Sequence, residues 1–390
     1  MSNVVLPKVA YISPSSFSDV DISLIKELQI KCDLYYFILV PPSGRKNAAV
    51  DLSCELRKDG LYVGTDFDGL KKYSCLIDLN KVFVVYYNSD KGYSFKRLLT
   101  NFKLLRKVSS FDVLHFTWPI GYTFFPFYLF RNKIVLTVHD PLPHSGTTSK
   151  IYLFERFLSM KLLSNFILLN KTQKEDFVEY YKISKEQKVF ASSLGCYDYL
   201  KIYSRPSLPS EKRILFFGKI YPYKGLDVLL PAMKEVHETN PDAELVVAGN
   251  GKFSFDISEY ENLPYIKIVN RFIPDEELVK LINESFFVVL PYKDATQSGV
   301  VMTSFALDKP CVVTDVGGLK EMVVHQKYGM VVPPNNPAEL AKTIRSLLDN
   351  PEKVKNFSEN IKTERENGMF SWSRIADQLM EIYSFIAKKG

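Results

Sequence analysis

One stretch limits the folds open to this chain more than any other: Ile214 to Ala232, I-L-F-F-G-K-I-Y-P-Y-K-G-L-D-V-L-L-P-A. Ile214 to Phe217 is a short apolar run, the pattern of a strand buried on both faces of a parallel sheet. Gly218 ends the run, Pro222 and Gly225 shape a loop, and Leu226, Leu229, Leu230 and Met233 then recur at helical spacing. A strand, a glycine-punctuated loop and a helix start together predict a βα unit. Free N–H groups and the positive end of the helix dipole converge on such a loop and favour an anion there. Lys219 and Lys224 flank it. Two cations at a helix start suit a diphosphate better than a monophosphate. The same residues also fit an ordinary βα turn with surface lysines, because Gly-x6-Gly is weak by itself.

The alternation continues on both sides. Short apolar runs at Lys8–Ser13, Leu34–Val40, Val113–Phe116, Lys133–His139, Phe166–Asn170 and Gln187–Leu194 read as strands of a first α/β half. Runs at Ala243–Ala248, Tyr265–Val269 and Phe286–Leu290 read as strands of a second. A chain of 390 residues is long for one core, so two domains are expected. The polar segment Tyr199 to Lys212, with Pro206 and Pro209, is the expected linker. Residues 1–205 hold 28 Lys/Arg against 19 Asp/Glu and the rest 22 against 25, so the net charge of +6 comes from the first half. That asymmetry predicts different partners for the two halves. Five scattered cysteines without paired spacing argue against a zinc site and for a reducing compartment. The start of the chain, Met1 to Lys8, has neither a basic cluster nor a long apolar run, so no signal peptide is expected.

Several features each admit a plain reading and a sharper one. Asp19-Val20-Asp21 and Asp66-Phe67-Asp68 resemble metal-binding acid pairs, but a helix start and a turn account for them better. Residues 94–108 form a basic amphipathic helix, with Phe95, Leu98, Leu99, Phe102 and Leu105 on one face. The plain reading packs that face into the core. The sharper one docks the helix on an anionic membrane or a phosphorylated lipid acceptor. Nucleic acid is not favoured, since no aromatic-interleaved motif accompanies the charge. Residues 116–130 are aromatic but too short and Pro-interrupted to span a bilayer. They fit a buried loop and helix, or an apolar patch on the acceptor side, and burial is the preferred reading. His139 closes a strand, where a polar side chain points into the ligand crevice of a doubly wound sheet. His144 is a weaker candidate in the loop beyond it.

These motifs together resemble the retaining glycosyltransferases of family 4, which have the GT-B fold: two Rossmann-like domains facing across a cleft. Lys224 stands at the lysine of the family's G-R-x4-K-G element, and Lys219 stands where the arginine usually is. That keeps the charge and loses the bidentate fork. Val138-His139-Asp140-Pro141 resembles the family's histidine segment, which implies that His139 meets the donor sugar. The family's Glu-x7-Glu segment is altered: Asp294 matches the first Glu only with a one-residue insertion, and Thr303 falls at the second. By the same resemblance the turn Gln297-Ser298-Gly299-Val300 serves the donor phosphate. The Arg271-Phe272 loop reads the nucleobase, with Arg271 either stacking on the base or pairing with Asp275. Lys309 to Glu321 and Val332 to Leu340 match closely, whereas the first loop, S-P-S-S-F-S, lacks the family's glycine pair. The resemblance covers the second half well and the first half in patches, best at 133–195.

The implied organisation is an acceptor-side domain at 1–198, a linker at 199–212, a nucleotide-sugar domain at 213–370, and a helix at 371–390 crossing back to the first domain. The implied function is metal-independent transfer, with retention, from a nucleotide sugar to a saccharide or lipid-linked saccharide in surface polysaccharide assembly. A UDP-sugar is the favoured donor. His139, Lys224 and Asp294 are the implied catalytic residues. Gly218, Lys219, Lys224, Arg271, Phe272, Gln297, Ser298, Gly299, Val300 and Thr303 are the implied donor-binding set. No cofactor or metal is expected. The expected location is cytoplasmic, with peripheral contact to the inner face of the cell membrane. A sugar-nucleotide epimerase and a binding protein without transfer activity remain the alternatives.

Overall fold

The computed structural model describes residues 6–47, 49–55, 57–91, 94–143, 150–169, 173–205, 210, 212–295 and 298–388. The chain divides into two compact units. One is Met1–Gly195 with Met369–Gly390, and the other is Cys196–Gly368.

The first unit is built on eight strands: β1 (Lys8–Pro14), β2 (Asp33–Val40), β3 (Gly60–Val63), β4 (Val82–Tyr86), β5 (Val113–Phe116), β6 (Ile134–Val138), β7 (Asn165–Leu168) and β8 (Lys188–Ala191). They run in the order β3-β4-β2-β1-β5-β6-β7-β8. All pairings are parallel except β3 with β4. The strands are apolar on both faces because helices cover both faces of such a sheet. Ile12, Phe37, Leu114, Leu136 and Phe166 anchor one side of its core. The last helix, Trp372–Ala387, belongs to this unit: Ile375, Leu379, Ile382, Tyr383 and Ile386 are buried along it. It is keyed in by Tyr383 Oη, 2.6 Å from His115 Nδ1, and by a Lys31–Asp377 ion pair of 2.6 Å.

The second unit holds β9 (Arg213–Phe217), β10 (Glu244–Gly249), β11 (Ile266–Asn270), β12 (Phe287–Leu290), β13 (Cys311–Thr314) and β14 (Gly329–Val332). Their order is β11-β10-β9-β12-β13-β14, and every pairing is parallel. The chain leaves β9 in one direction, then returns to its other side at β12. This reversal is a topological switch point, and the crevice at the carboxyl ends of the two strands is where an open α/β sheet takes a ligand. In the first unit the same point lies between β1 and β5, where Thr117 Oγ1 donates to Ser13 Oγ at 2.6 Å.

The structure corrects several expectations. The first helix is Ser18–Leu28, and both Asp19 and Asp21 lie within it. It buries Asp21 in its first turn, where the Tyr11 and Tyr36 hydroxyls donate to the two carboxylate oxygens at 2.9 and 3.0 Å. The units part at Gly195/Cys196, before the stretch read as a linker. Its first residues fold as a 3-10 turn, Asp198–Tyr203, inside the second unit, because Tyr199 and Leu200 bury their side chains and Tyr199 donates to Asp275 at 3.1 Å. Pro206 and Pro209 lie outside the described residues. Helix Phe95–Val108 buries Thr100, Asn101, Leu104 and Val108, and leaves Phe95, Leu99 and Phe102 exposed. The apolar stripe is therefore divided: Phe95, Leu99 and Phe102 face solvent, while Leu98 and Leu105 are half-buried, Leu105 against the core. Residues 116–130 are split: Phe124 and Phe127 are buried, whereas Phe125 and Leu129 are exposed.

Candidate functional site

The crevice at β9 and β12 is assembled by two loops that lock onto each other. Gly218 leaves β9 with φ +112, and a Cβ there would touch Val300 Cγ2. Residues Pro222–Lys224 make one 3-10 turn, and Gly225 (φ +72) caps helix Leu226–Thr239. A side chain at Gly225 would drive into the Pro291 carbonyl, so only glycine lets the two loops close. The Lys293 amide donates to the Tyr223 carbonyl at 2.7 Å, and its ammonium pairs with Asp227 at 2.5 Å. Thr314 Oγ1 holds the Tyr292 carbonyl from the next strand at 2.5 Å.

Lys224 sits where these loops meet. Its side chain is buried, with Nζ 3.7 Å from the centre of the Tyr292 ring and 5.2 Å from that of Tyr223. Burial alone pulls its pKa down to about 8, and no carboxylate among the described residues offsets that desolvation. Cation–π contact recovers part of the loss. The free ends of two helices share the crevice. Gly225 gives helix Leu226–Thr239 no side-chain cap, and Ser298 gives none to helix Gly299–Ala306. Ser298 Oγ and Tyr292 Oη are buried; they approach each other without hydrogen-bond geometry and have no hydrogen-bond partner among the described residues. A buried lone cation, two uncapped helix starts and unspent hydroxyls are the requirements of an anion, and their spread suits two linked phosphates.

The other residues singled out from the sequence fall around this point in different ways. Lys219 and Asp294 are exposed on the two loops, and Gly299 packs against Tyr197. Thr303 is buried one turn into its helix. Gln297 and His144 lie outside the described residues. Arg271 does not pair with Asp275. Its guanidinium grips Glu277 at 2.6 and 2.9 Å, since Asp275 is turned inward to Tyr199. Phe272 beside it is 51% exposed. Tyr292 and Asp227, which set the position of Lys224 and of its loop, carry no signal in the sequence beyond their place near the glycines.

His139 belongs to the first unit and follows the carboxyl end of β6. Its ring stacks on Phe17 at 4.2 Å with an interplanar angle of 6°, and Nε2 has no partner among the described residues. Burial pulls its pKa down to about 4, so it is neutral at physiological pH. It borders a cavity of about 30 Å³, room for a single water, beside Asp21, His115 and Ser192. The acid pairs have other employment: Asp21 is bonded by two tyrosines, and Asp68 pairs with Lys71 at 2.5 Å. Among the described residues no three His, Cys, Asp or Glu side chains are grouped to share a metal ion.

Comparison with known proteins agrees with this geometry. Residues 203–364 match the family Glycosyl transferases group 1, and the matched span lies within the second unit. The protein YtcC of Bacillus subtilis is 24% identical over 306 residues, 72% of this chain and 74% of YtcC. The chain spans about half the length of two further curated relatives, 47% and 49%. Among solved structures, sucrose-phosphate synthase of Thermosynechococcus elongatus aligns with a TM-score of 0.67 at 15% identity, over 98% of this chain and all of that one. HepE of Anabaena, solved with UDP, aligns with a TM-score of 0.67 at 17% identity, over 97% of this chain and all of HepE. The fold is GT-B: two parallel-sheet, Rossmann-like α/β domains.

Proposed function

We propose that the chain is a retaining glycosyltransferase of family 4. It would move a sugar from a UDP-sugar to a saccharide or lipid-linked saccharide acceptor in surface polysaccharide assembly. The observation that carries the reading is Lys224, buried without a counter-charge at the switch point of a group 1 domain. HepE has been solved with UDP and with UDP-glucose, which supports uridine as the base.

In this reading the diphosphate lies against Lys224 and the starts of helices Leu226–Thr239 and Gly299–Ala306. Lys219 adds charge from solvent, and Gly218, Ser298, Gly299 and Val300 leave the backbone open to the phosphates. Gln297 and Thr303 complete the donor contacts, while Phe272 is free to lie on the base. Asp294 and the neutral His139 hold sugar hydroxyls. The bond from the anomeric carbon to the diphosphate breaks, and the bond to the acceptor oxygen forms on the same face. The acceptor's proton passes to the departing phosphate oxygen, so no strong protein base is needed. Charge growing on the diphosphate is met by Lys224 and the helix dipoles, a preorganised electrostatic stabilisation. No metal takes part. The chain works in the cytoplasm, at the inner face of the cell membrane; no helix among the described residues is long and apolar enough to cross one.

Thermal shift with UDP, GDP, dTDP, ADP and their sugar conjugates, with and without EDTA, is the first test. One nucleotide should raise the melting temperature regardless of EDTA. Turnover of that donor with acceptor should then be lost in Lys224→Ala. Equal turnover in wild type and Lys224→Ala would remove the reading. The altered acids, Asp294 and Thr303, favour one second reading, a protein that binds the nucleotide sugar without transfer. It is distinguished by a thermal shift with no donor consumed.

A further inference from the structure

Three neighbouring elements of the first unit turn apolar side chains to solvent. Helix Phe95–Val108 exposes Phe95 (72%), Leu99 and Phe102. The 3-10 segment Tyr122–Phe130 exposes Phe125 (63%) and Leu129 (85%), with Trp118 just before it. Helix Lys150–Leu162 exposes Ile151, Phe154 and Phe157 at a spacing of three. The elements abut. Asn101 Nδ2 donates to the Thr123 carbonyl at 3.1 Å, and Ser159 Oγ accepts from the Ile120 amide at 2.9 Å. Trp118 stacks on Tyr152 with centroids 5.6 Å apart. Single exposed apolar residues are ordinary, but nine on three packed elements are a patch with a purpose.

The charge around the patch selects its occupant. Residues 94–108, 118–133 and 150–162 together hold ten Lys and Arg and one acid, Glu155. Lys96, Lys103, Arg106 and Lys107 are exposed beside the stripe of the first helix, and Arg131, Lys150 and Lys161 beside the other two elements. A large apolar side chain set among cations, with aromatic rings between, matches the boundary of an anionic bilayer. Rings and leucines enter the acyl layer, and the cations meet the headgroups. The polar residues that helix Phe95–Val108 buries make sense in the same terms. Asn101 and Thr100 face inward, where Asn101 accepts from Tyr87 at 2.5 Å, so the apolar stripe is left free to face out.

We infer that this face, centred on Phe125 and Leu129 and rimmed by Lys96, Lys103 and Arg106, docks the protein on an anionic lipid bilayer. The inference does not depend on sugar transfer, because all its residues lie in the first unit and nucleotide binding is assigned to the second.

The test is co-sedimentation of the full chain with phosphatidylcholine vesicles, with and without phosphatidylglycerol. The chain has two tryptophans, Trp118 in the patch and the buried Trp372, so a blue shift of emission lost in Trp118→Phe reports the docked face. Binding is expected only with phosphatidylglycerol and should weaken as salt is raised. Phe125→Ser/Leu129→Ser and Lys103→Glu/Arg106→Glu should each reduce it about tenfold or more. The first unit's own calorimetric transition, unchanged in both variants, shows that they are folded. Absence of vesicle binding overturns the inference, as does binding that both folded variants retain. A self-associated chain whose Trp118 is already shielded before vesicles are added would give the face to a second copy and overturn it too. A failed nucleotide shift in the wild type, with vesicle binding intact, would sink the transfer reading alone.

Discussion

At the scale of single residues, Lys224 sets function against stability. Its pKa in the folded chain is depressed from 10.5 to about 8 by burial. Below about 8 both folded and unfolded chains hold the proton, and the folded state carries a constant desolvation penalty. Between about 8 and 10.5 the unfolded chain holds the proton while the folded one sheds it, so stability should rise with pH across that window. Lys224→Met keeps the stem and deletes the charge. It should therefore raise the melting temperature at neutral pH, with a gain of up to about 3 kcal/mol, and lose nucleotide affinity about a hundredfold or more. Titration calorimetry of wild type with UDP should show affinity flat below about pH 8 and falling above it, by about tenfold per pH unit, as the free protein loses that proton. Affinity that is level through pH 9, or a Lys224→Met variant that is less stable and still binds, would remove Lys224 from the site. Arg271 makes the contrast. Its two bonds to Glu277 are solvent-exposed, so Arg271→Ala should change nucleotide affinity and stability by less than about 1 kcal/mol.

At the scale of elements, the donor crevice depends on one glycine. Gly225 holds φ +72 and its α-hydrogen faces the Pro291 carbonyl, so Gly225→Ala is strained in backbone and blocked in space. It should destabilise the chain by about 1–3 kcal/mol. It should also separate the loop of Lys224 from that of Lys293, so that UDP no longer shifts the melting temperature of a chain that still folds by circular dichroism. This loop was legible in the sequence because glycine, helix spacing and the strand before it all obey local rules. So was most of the sheet order's raw material: the apolar runs at β1, β2, β5, β6 and β9 to β12 stand where the sequence put them, within a residue or two. What stayed hidden was set by partners distant in the chain. β3 and β4 went unread, β3 because it is short and half-buried beside a turn, and β4 because its five residues sit within an aromatic run that continues into the following loop. The spacing of helix Phe95–Val108 left its stripe open to packing inward or to docking on a membrane. Asn101, which finds Tyr87 and Thr123 on the inner side, helps set the roll that exposes Phe95, Leu99 and Phe102. Arg271 found Glu277 because Asp275 was already taken, and no periodicity carries that competition.

At the scale of the whole molecule, the first unit is completed by the far end of the chain. Helix Trp372–Ala387 brings seven buried apolar or aromatic side chains to it, and the Trp372 indole fills the space over Gly195 so closely that any side chain there would clash. At the centre lies a buried chain of polar contacts. Tyr383 Oη is 2.6 Å from His115 Nδ1, and His115 Nε2 is 2.7 Å from Thr137 Oγ1. Burial pulls the pKa of His115 down to about 3, so the imidazole stays neutral and needs both neighbours. The core of the second unit, by contrast, is drawn from Cys196–Gly368 alone. The two units therefore differ in how they answer loss of the chain's end. A chain stopped after Gly368 should lose the first unit's cooperative transition in scanning calorimetry, while the second unit keeps a transition that UDP raises. Tyr383→Phe is the milder form: it strands one ring nitrogen of His115 and should lower the first unit's stability by about 1–3 kcal/mol, leaving the UDP-dependent transition in place. A chain stopped after Gly368 that melts as the intact one does would mean the first unit closes its core without this helix. Loss of the UDP-raised transition together with the first would mean that the second unit cannot hold its crevice alone.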